Sequence, residues 1–535
     1  MHSVDISESC RRNATMTRSH ADFAKRVDAL FSQFSGPDMP GAVVAVTENG
    51  REIFANAYGL ANINNDIPMG RKTIIRIGSQ SKQFTVLLTL MLEAEGKLSM
   101  DDEVQKHLPY VPRLEYPFTL RHLASNTSGY RDFLDAMIFS GLSIFAPSDR
   151  QTVREIIARQ DALNFKPGSA MVYSNSGFFM LYEIIERIEG ATFNEILRKR
   201  VTGPLGMHDT SLMLRDGSVM KRLAAHYTKR AEGWFHLGWG LEEDGGGGIV
   251  STLDDVVVWQ QNLSNPIIGT AEMYQRMATP YVFDNGATGC YGLGLVTDVY
   301  RGRRAVGHGG GVAGGKSESV RFIDDGLSIV IIANNDQIAP FTVARRIADL
   351  YFGTAEPTPI RLPPGRYRQE GGPDVFEIVV KDGVPTFRNS NMYGGMTGFD
   401  FGHPCGAKPE RTTDLVLSPR PDGKIDGTYC GTPRVYVPLT ADARAAAPLA
   451  GRYANTTQGL EVDIDGDAHR GMFRLRSDLG TMNAPIVAAD SDLWLLLEPG
   501  TDTRPDLPWI ATLSITADSF EINSDRIKKL RFMRV

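Results

Sequence analysis

The sequence predicts an α/β domain, an antiparallel sheet flanked by helices, followed by an all-β tail. Three observations predict it. Hairpin-like pairs of β-type runs stand near residue 50 and near residue 325. Long apolar helical patterns fill the stretch between them. Beyond a Pro-rich segment at 354–364, helical periodicity gives way to short alternating runs.

Taken in order, residues 1–24 are polar and read as a flexible N-terminus. GAVVAVTENGREIFANAYG (41–59) is two β-type runs around Asn49-Gly50, a pair that tolerates the positive φ values of a tight hairpin turn. From Gln80 a helix is expected that is apolar nearly all round (Phe84, Val86, Leu87, Leu88, Leu90, Met91, Leu92), the mark of a buried helix. Gly96 supplies its stop. Residues 100–235 read as helical segments and loops, and LDDVVVWQQNLS (253–264) as a helix. SVRFIDDGLSIVIIANN (319–335) is a strand pair around an Asp-Gly turn. PFTVARRIADLYFG (340–353) is an amphipathic helix ended by Gly353. The first domain is expected to span 25–353, and TAEPTPIRLPP (354–364) is a linker.

The tail carries closely spaced strand signals. Gly-Arg-Tyr occurs at 365–367 and again at 451–453, each shortly after proline. Two copies of one β module are expected, at 365–445 and 446–535.

Bulk properties exclude several classes. A formal charge of −6 without a basic block argues against nucleic acid as a partner. The four cysteines, Cys10, Cys290, Cys405 and Cys430, are far apart and form neither a zinc motif nor a disulfide framework. The histidines lack metal-ligand spacing, so no metal is expected. No apolar run approaches the roughly 20 residues of a membrane span, and no secretory leader is visible. A protein of the cytoplasm, without a membrane partner, is the expectation.

One stretch invites a different reading. Gly310–Ser317 (GGVAGGKS) fits the phosphate-cradling pattern G-x-x-x-x-G-K-[ST]. That pattern needs a helix to open at its Lys-Ser, so that helix and loop N–H groups bind the phosphates together. Here a strand follows, then a short turn and another strand. Glycines on a strand have another use, the close approach of a ligand or a second backbone.

Chemistry is expected at three places. Ser79 and Lys82 stand at i and i+3 at the start of the apolar helix, on one face and near the helix N-terminus. A partly desolvated lysine there can take the serine's proton. Tyr173, in MVYSNSGF, can act as base or proton relay, and Asn175 can bind a substrate amide. His308 precedes Gly309, Gly310 and Gly311, which would leave a strand edge open to an extended substrate.

Together and in this order, S-x-x-K, Y-S-N and H-G-G resemble the serine β-lactamase and penicillin-binding-protein fold. HLASNTSG (122–129), PLGMHDTS (204–211) and GGGGIVST (245–252) are similar to the same family, over about residues 25–353. His308 stands where many members carry a lysine, as in the esterase, aminopeptidase and D-amino-acid-amidase branch. SQSKQFT (79–85), NTSGYRDF (126–133), GHGG (307–310), the length and the double tail are similar to D-aminopeptidases of the S12 serine peptidase family. That resemblance implies two antiparallel β-barrels in the tail and a homodimer. It implies cofactor-free removal of N-terminal D-residues from small peptides, amides or esters through an acyl-enzyme on Ser79. Lys82 and Tyr173 would share the proton transfers. His308 would orient the Tyr173 side. Asn175 and the glycines would hold the substrate, with the N–H groups of Ser79 and Gly311 as oxyanion donors. A loop of the last barrel would limit the site to small amines. By position that loop is 498–508, with Glu498, Asp502, Arg504 and Asp506 as candidate contacts. An esterase, a β-lactamase or a penicillin-recognising sensor would use the same residues.

Overall fold

The central sheet has six strands, ordered Val296–Tyr300, Arg303–Val312, Gly315–Phe322, Leu327–Ala333, Ala42–Glu48 and Arg51–Tyr58, every neighbouring pair antiparallel. A computed structural model of the chain describes residues 20–535 apart from 356–359, 382, 391–396, 398, 401–402, 404–405, 410–413, 441–442, 447–448, 502–507 and 517. Both sheet faces are covered. Val44, Val46, Ile329 and Ile331 pack with Phe23, Val27, Phe31, Ala344 and Ile347 from the two helices His20–Phe31 and Pro340–Phe352. Val43, Ala45, Val330 and Ile332 point to the other side and join the helix Ser81–Ala94 in the main core. The period of two along each strand sorts the residues between these cores. His20–Phe31 starts ahead of the expected 25 because Phe23 joins Val27 and Phe31 in that core.

The hairpin signals have their local causes. Asn49 and Gly50 both take positive φ, 49° and 78°, joining the first two strands. Gly353, at φ 68°, closes the last helix in the left-handed conformation. The phosphate-loop-like stretch is a hairpin. Val312 pairs with Gly315 across the turn, and Lys316-Ser317 lie in the strand Gly315–Phe322. No helix N-terminus is offered to a phosphate there.

The tail holds two all-β units. In the first, six strands form a curled sheet, half of a barrel, running from Val384–Asn389 through Gly365–Gln369 to Leu415–Pro419. In the second, eight strands from Gly451–Asn455 to Leu530–Arg534 close into a barrel. The two Gly-Arg-Tyr tripeptides are built alike. Tyr367 and Tyr453 are both buried, and each hydroxyl donates to the carbonyl four residues earlier, Pro363 and Leu449, at 3.1 Å. Among the described residues no helix is long and apolar enough to cross a membrane, and no cluster of metal-ligand type occurs. Cys290 and Cys430 are buried free thiols; Cys10 and Cys405 lie outside the described residues.

Candidate active site

Ser79 lies in a single 3-10 turn, Gly78–Gln80, that leads into the helix Ser81–Ala94. Gly78 takes φ +56°, and a Cβ there would stand 2.8 Å from the Gly311 nitrogen. A Cβ on Gly310 would meet the Ile77 carbonyl oxygen at 1.9 Å. The serine turn and the glycine strand therefore touch backbone to backbone, which only residues without a side chain permit. Ser317 Oγ donates to the same Ile77 carbonyl at 2.7 Å and ties the two together.

Lys82 is fully buried. Its Nζ donates to Ser79 Oγ at 3.0 Å, Asn175 Oδ1 at 2.9 Å and the Gly246 carbonyl at 2.7 Å. All three ammonium protons are thus used, the condition for burying such a cation. The rings of Tyr173 and Phe178 add their faces, 4.9 and 5.0 Å from Nζ.

Asn175 opens the helix Asn175–Glu189. Its backbone N–H and its Nδ2 both donate to Asp132 Oδ2, at 2.6 and 2.9 Å. That contact sets the amide so that Oδ1 faces Lys82. Asp132 is itself buried and caps the helix Phe133–Ile138, accepting from Leu134 N–H at 2.9 Å. Asn126, at φ +58°, accepts from Ser174 N–H at 3.0 Å and shapes the Tyr173-Ser174-Asn175 loop.

Tyr173 has a second cation beside its ring. The Arg526 guanidinium carbon lies 5.1 Å from the ring centre and its nitrogen 3.7 Å from Asp132. The His308 ring is 6.1 Å away, and Tyr291 meets Tyr173 edge to face at 6.3 Å.

His308 is buried, with both nitrogens engaged. Nδ1 lies 2.5 Å from the Gly309 carbonyl oxygen, so it carries the proton, and Nε2 accepts from the Tyr291 hydroxyl at 2.9 Å. Burial, with the nearby Lys82 charge, pushes the imidazole down to about 3, so the ring is neutral at ordinary pH. Burial likewise holds the Tyr291 phenol well above its ordinary range. Pairing of Arg303–Val312 with the edge strand Val296–Tyr300 stops at Gly307. On that side His308–Val312 have no ladder partner among the described residues, an open edge beside Ser79.

These groups border a cavity of about 840 Å³. Ser79, Tyr173, Asn175, His308, Gly309 and Gly311 line it; Lys82 lies beneath Ser79, and Gly310 is packed against Ile77. Its other walls are apolar (Phe133, Ile144, Phe145, Trp239) and acidic (Glu243, Asp244).

The expected contact loop of the last barrel falls mostly outside the described residues. Glu498 does not line the cavity, and Asp502, Arg504 and Asp506 lie outside the described residues. The barrel reaches the site through its last turn, which brings Asp525 and Arg526. Buried polar groups of the first domain dock that turn. Arg131 donates to the Lys528 and Lys529 carbonyls at 3.2 and 2.9 Å, Asn164 Nδ2 to the Arg526 carbonyl at 2.9 Å, and Ser524 Oγ donates a hydrogen bond to Asp135 Oδ2 at 2.7 Å. Strand order alone does not reveal which end of a barrel faces its neighbour.

Asp132, Tyr291, Asp244 and Arg526 were not singled out from the sequence. Asp132 had a local signal, an acidic cap ahead of an apolar run. Asp244 directly precedes the four-glycine run. Tyr291 and Arg526 carry no local signal, because their partners are distant in the chain.

A Beta-lactamase family model matches residues 27–352, more than half of the chain. The chain is 28% identical over 316 residues to a D-aminopeptidase of Cereibacter sphaeroides, covering 59% of this chain and 60% of that protein. The match thus spans less than two thirds of that relative's length. It is 26% identical over 487 residues to a D-aminopeptidase of Brucella melitensis, covering 88% and 89% of the two chains. Among solved structures, the octameric penicillin-binding protein homologue from Pyrococcus abyssi superposes with a TM-score of 0.57 at 19% identity, over 90% of this chain and 98% of that one.

Proposed function

Because the chain belongs to the Beta-lactamase family, we propose that it is a serine hydrolase that releases N-terminal D-amino acids from short peptides, amides or esters. The observation that carries this reading is the Lys82 ammonium, which donates at once to Ser79 Oγ and to Asn175 Oδ1. A hydroxyl, a buried cation and an amide acceptor then meet at the floor of one cavity, beside an open strand edge. The D-aminopeptidases that share sequence with the chain support the substrate class.

In this mechanism Ser79 Oγ bonds to the substrate's carbonyl carbon as its proton passes to the Tyr173 oxygen. Tyr173 takes that proton as a phenolate-type base; Lys82 holds Oγ in place and, with Arg526, stabilises the phenolate that accepts it. The carbonyl oxygen becomes an oxyanion between the N–H groups of Ser79 and Gly311. Its collapse breaks the bond to the leaving amine, which takes the proton from Tyr173. Water then attacks the acyl-Ser79 ester by the reverse proton path and frees the acid. Neutral His308 fixes the Tyr291 hydroxyl and through it the wall behind Tyr173. The reaction needs no cofactor. Asn175 and the edge from Gly309 to Gly311 align the substrate. Family resemblance also supports a homodimer, which light scattering tests.

The test is a panel of D- and L-aminoacyl p-nitroanilides with nitrocefin beside it. Turnover of D-aminoacyl members above their L-forms is expected. Turnover of nitrocefin alone, or a lasting penicillin adduct on Ser79 by mass spectrometry without product, overturns the reading.

A further inference from the structure

Four carboxylates line the cavity: Glu243, Asp244, Asp336 and Asp525. Three are engaged. Glu243 pairs with the buried Arg76 at 3.1 Å. Asp336 accepts from Thr228 at 2.5 Å and from Gln337 at 2.7 Å, and half-buried Asp525 from Asn389 at 2.9 Å.

Asp244 differs. It is only 6% exposed. One oxygen, Oδ1, accepts from Gly246 N–H at 2.5 Å. Among the described residues nothing donates to Oδ2, and no lysine or arginine pairs with the carboxylate. A buried carboxylate with one oxygen unused is costly unless a partner arrives. Burial accordingly pushes its titration up to about 6, although Gly246 N–H and Lys82 pull the other way. The carboxylate lines the same cavity as Ser79 and stands near its lysine. A point 2.8 Å from Asp244 Oδ1, where a Cβ on Gly246 would stand, is 3.8 Å from Lys82 Nζ, which is bonded to Ser79 Oγ. In an amino acid derivative the α-nitrogen is about 2.5 Å from the carbonyl carbon that Ser79 attacks, by ordinary backbone geometry. An α-ammonium of a substrate on Ser79 stands near Lys82, a cation it must not face without a counter-charge, and Asp244 is the cavity carboxylate with a free oxygen to supply one.

The apolar wall is equally specific. Phe145 and Trp239 stack at 6.3 Å and 26°, and Phe145 is 52% exposed at the cavity mouth. Phe133 and Ile144 continue the surface inward. An alanine side chain would leave most of it uncovered.

We propose that Asp244 binds the substrate's free α-ammonium while the wall of Phe133, Ile144, Phe145 and Trp239 takes a large apolar side chain. The preferred substrates are amides or short peptides whose first residue is unblocked and aromatic or aliphatic. The inference rests on the serine hydrolase reading above and adds the identity of the first residue.

The experiment compares kcat/KM for D- and L-phenylalanine p-nitroanilide, their alanine counterparts and the p-nitrophenyl ester of 3-phenylpropionate, which lacks the amine. For wild type, phenylalanine is expected to exceed alanine. Asp244→Asn should lower the ratio of amine-bearing to amine-free turnover roughly tenfold or more, the worth of a hydrogen bond between charged groups. Phe145→Ala should narrow the preference for phenylalanine over alanine. An unchanged ratio in Asp244→Asn overturns the assignment, as does a fall that appears with Asp525→Asn instead. If wild type hydrolyses none of these compounds, the hydrolase reading falls by itself. Calorimetry of phenylalaninamide binding to wild type and Asp244→Asn then decides the ammonium site separately: equal affinity, or no binding to either, sinks it.

Discussion

Arg526 brings its guanidinium carbon to 5.1 Å from the centre of the Tyr173 ring, although one residue belongs to the last turn of the C-terminal barrel and the other to a loop of the first domain. With Lys82 Nζ at 4.9 Å, the phenol has two cations at its ring. In the proposed mechanism both stabilise the phenolate form of Tyr173, more strongly than in water because the site is largely buried. Arg526→Ala is expected to lower kcat roughly tenfold, with Arg526→Lys recovering part of it. Steady-state hydrolysis checks this, and an unchanged kcat in the alanine variant refutes it.

Ser79→Ala should abolish turnover and keep the melting temperature, since Ser79 Oγ supplies only one of the three acceptors of Lys82. Lys82→Ala should do both kinds of damage. It leaves Asn175 Oδ1 and the Gly246 carbonyl without their donor and opens a void in the main core, at a cost of about 3 kcal/mol or more. Thermal unfolding of the two variants, read beside activity, separates the roles. Turnover by Ser79→Ala would falsify the acyl-enzyme mechanism.

Neighbouring glycines should respond differently to the same methyl group. At Gly310 it would meet the Ile77 oxygen at 1.9 Å, whereas at Gly311 nothing lies within 4 Å. Gly310→Ala is expected to destabilise the protein by about 3 kcal/mol, the upper end of typical overpacking. Gly311→Ala should unfold with wild type. Urea titrations of both variants test the backbone contact between the serine turn and the strand, and equal stabilities would remove it.

Stability should depend on pH through His308. Its folded value, about 3, lies below the ordinary value near 6.5, so the folded state favours the neutral ring. The contribution is present above about pH 6.5 and is lost as pH falls from there towards 3, at roughly 1.4 kcal/mol per pH unit. Buried carboxylates with raised values, such as Glu243 at about 7, act in the opposite direction. The difference between wild type and His308→Gln isolates the imidazole. It should fall by about 2 kcal/mol between pH 6.5 and pH 5, measured by denaturant unfolding. A difference independent of pH would show that folding leaves the His308 titration unshifted and would refute the buried neutral imidazole.

Much of this architecture is legible in the sequence because its causes are local. The Asn49-Gly50 turn needs two positive φ values, and both residues tolerate them. The helix after Ser79 is apolar all round because every side of it meets core. Ser79 and Lys82 converge because three residues make nearly one turn. The strand after Lys316-Ser317, read against the phosphate-loop pattern, is likewise present. The contact made by the last turn, Asp525 and Arg526, was not legible, because strand order does not say which turns of a closed barrel face the first domain.

By itself, then, the sequence determined the elements, the helix after Ser79, the two alike Gly-Arg-Tyr strands and the Beta-lactamase likeness of the first domain. Only the tertiary structure decided that Asp132 orients Asn175 towards Lys82, that Tyr291 occupies one nitrogen of His308, that Arg526 stands at Tyr173 and that Asp244 keeps an unused oxygen. Backbone preference and periodicity act over a few residues and can be read along the chain. A buried polar group takes its partner from whatever the packed fold brings near, and that neighbour is set by the approach of segments tens to hundreds of residues apart.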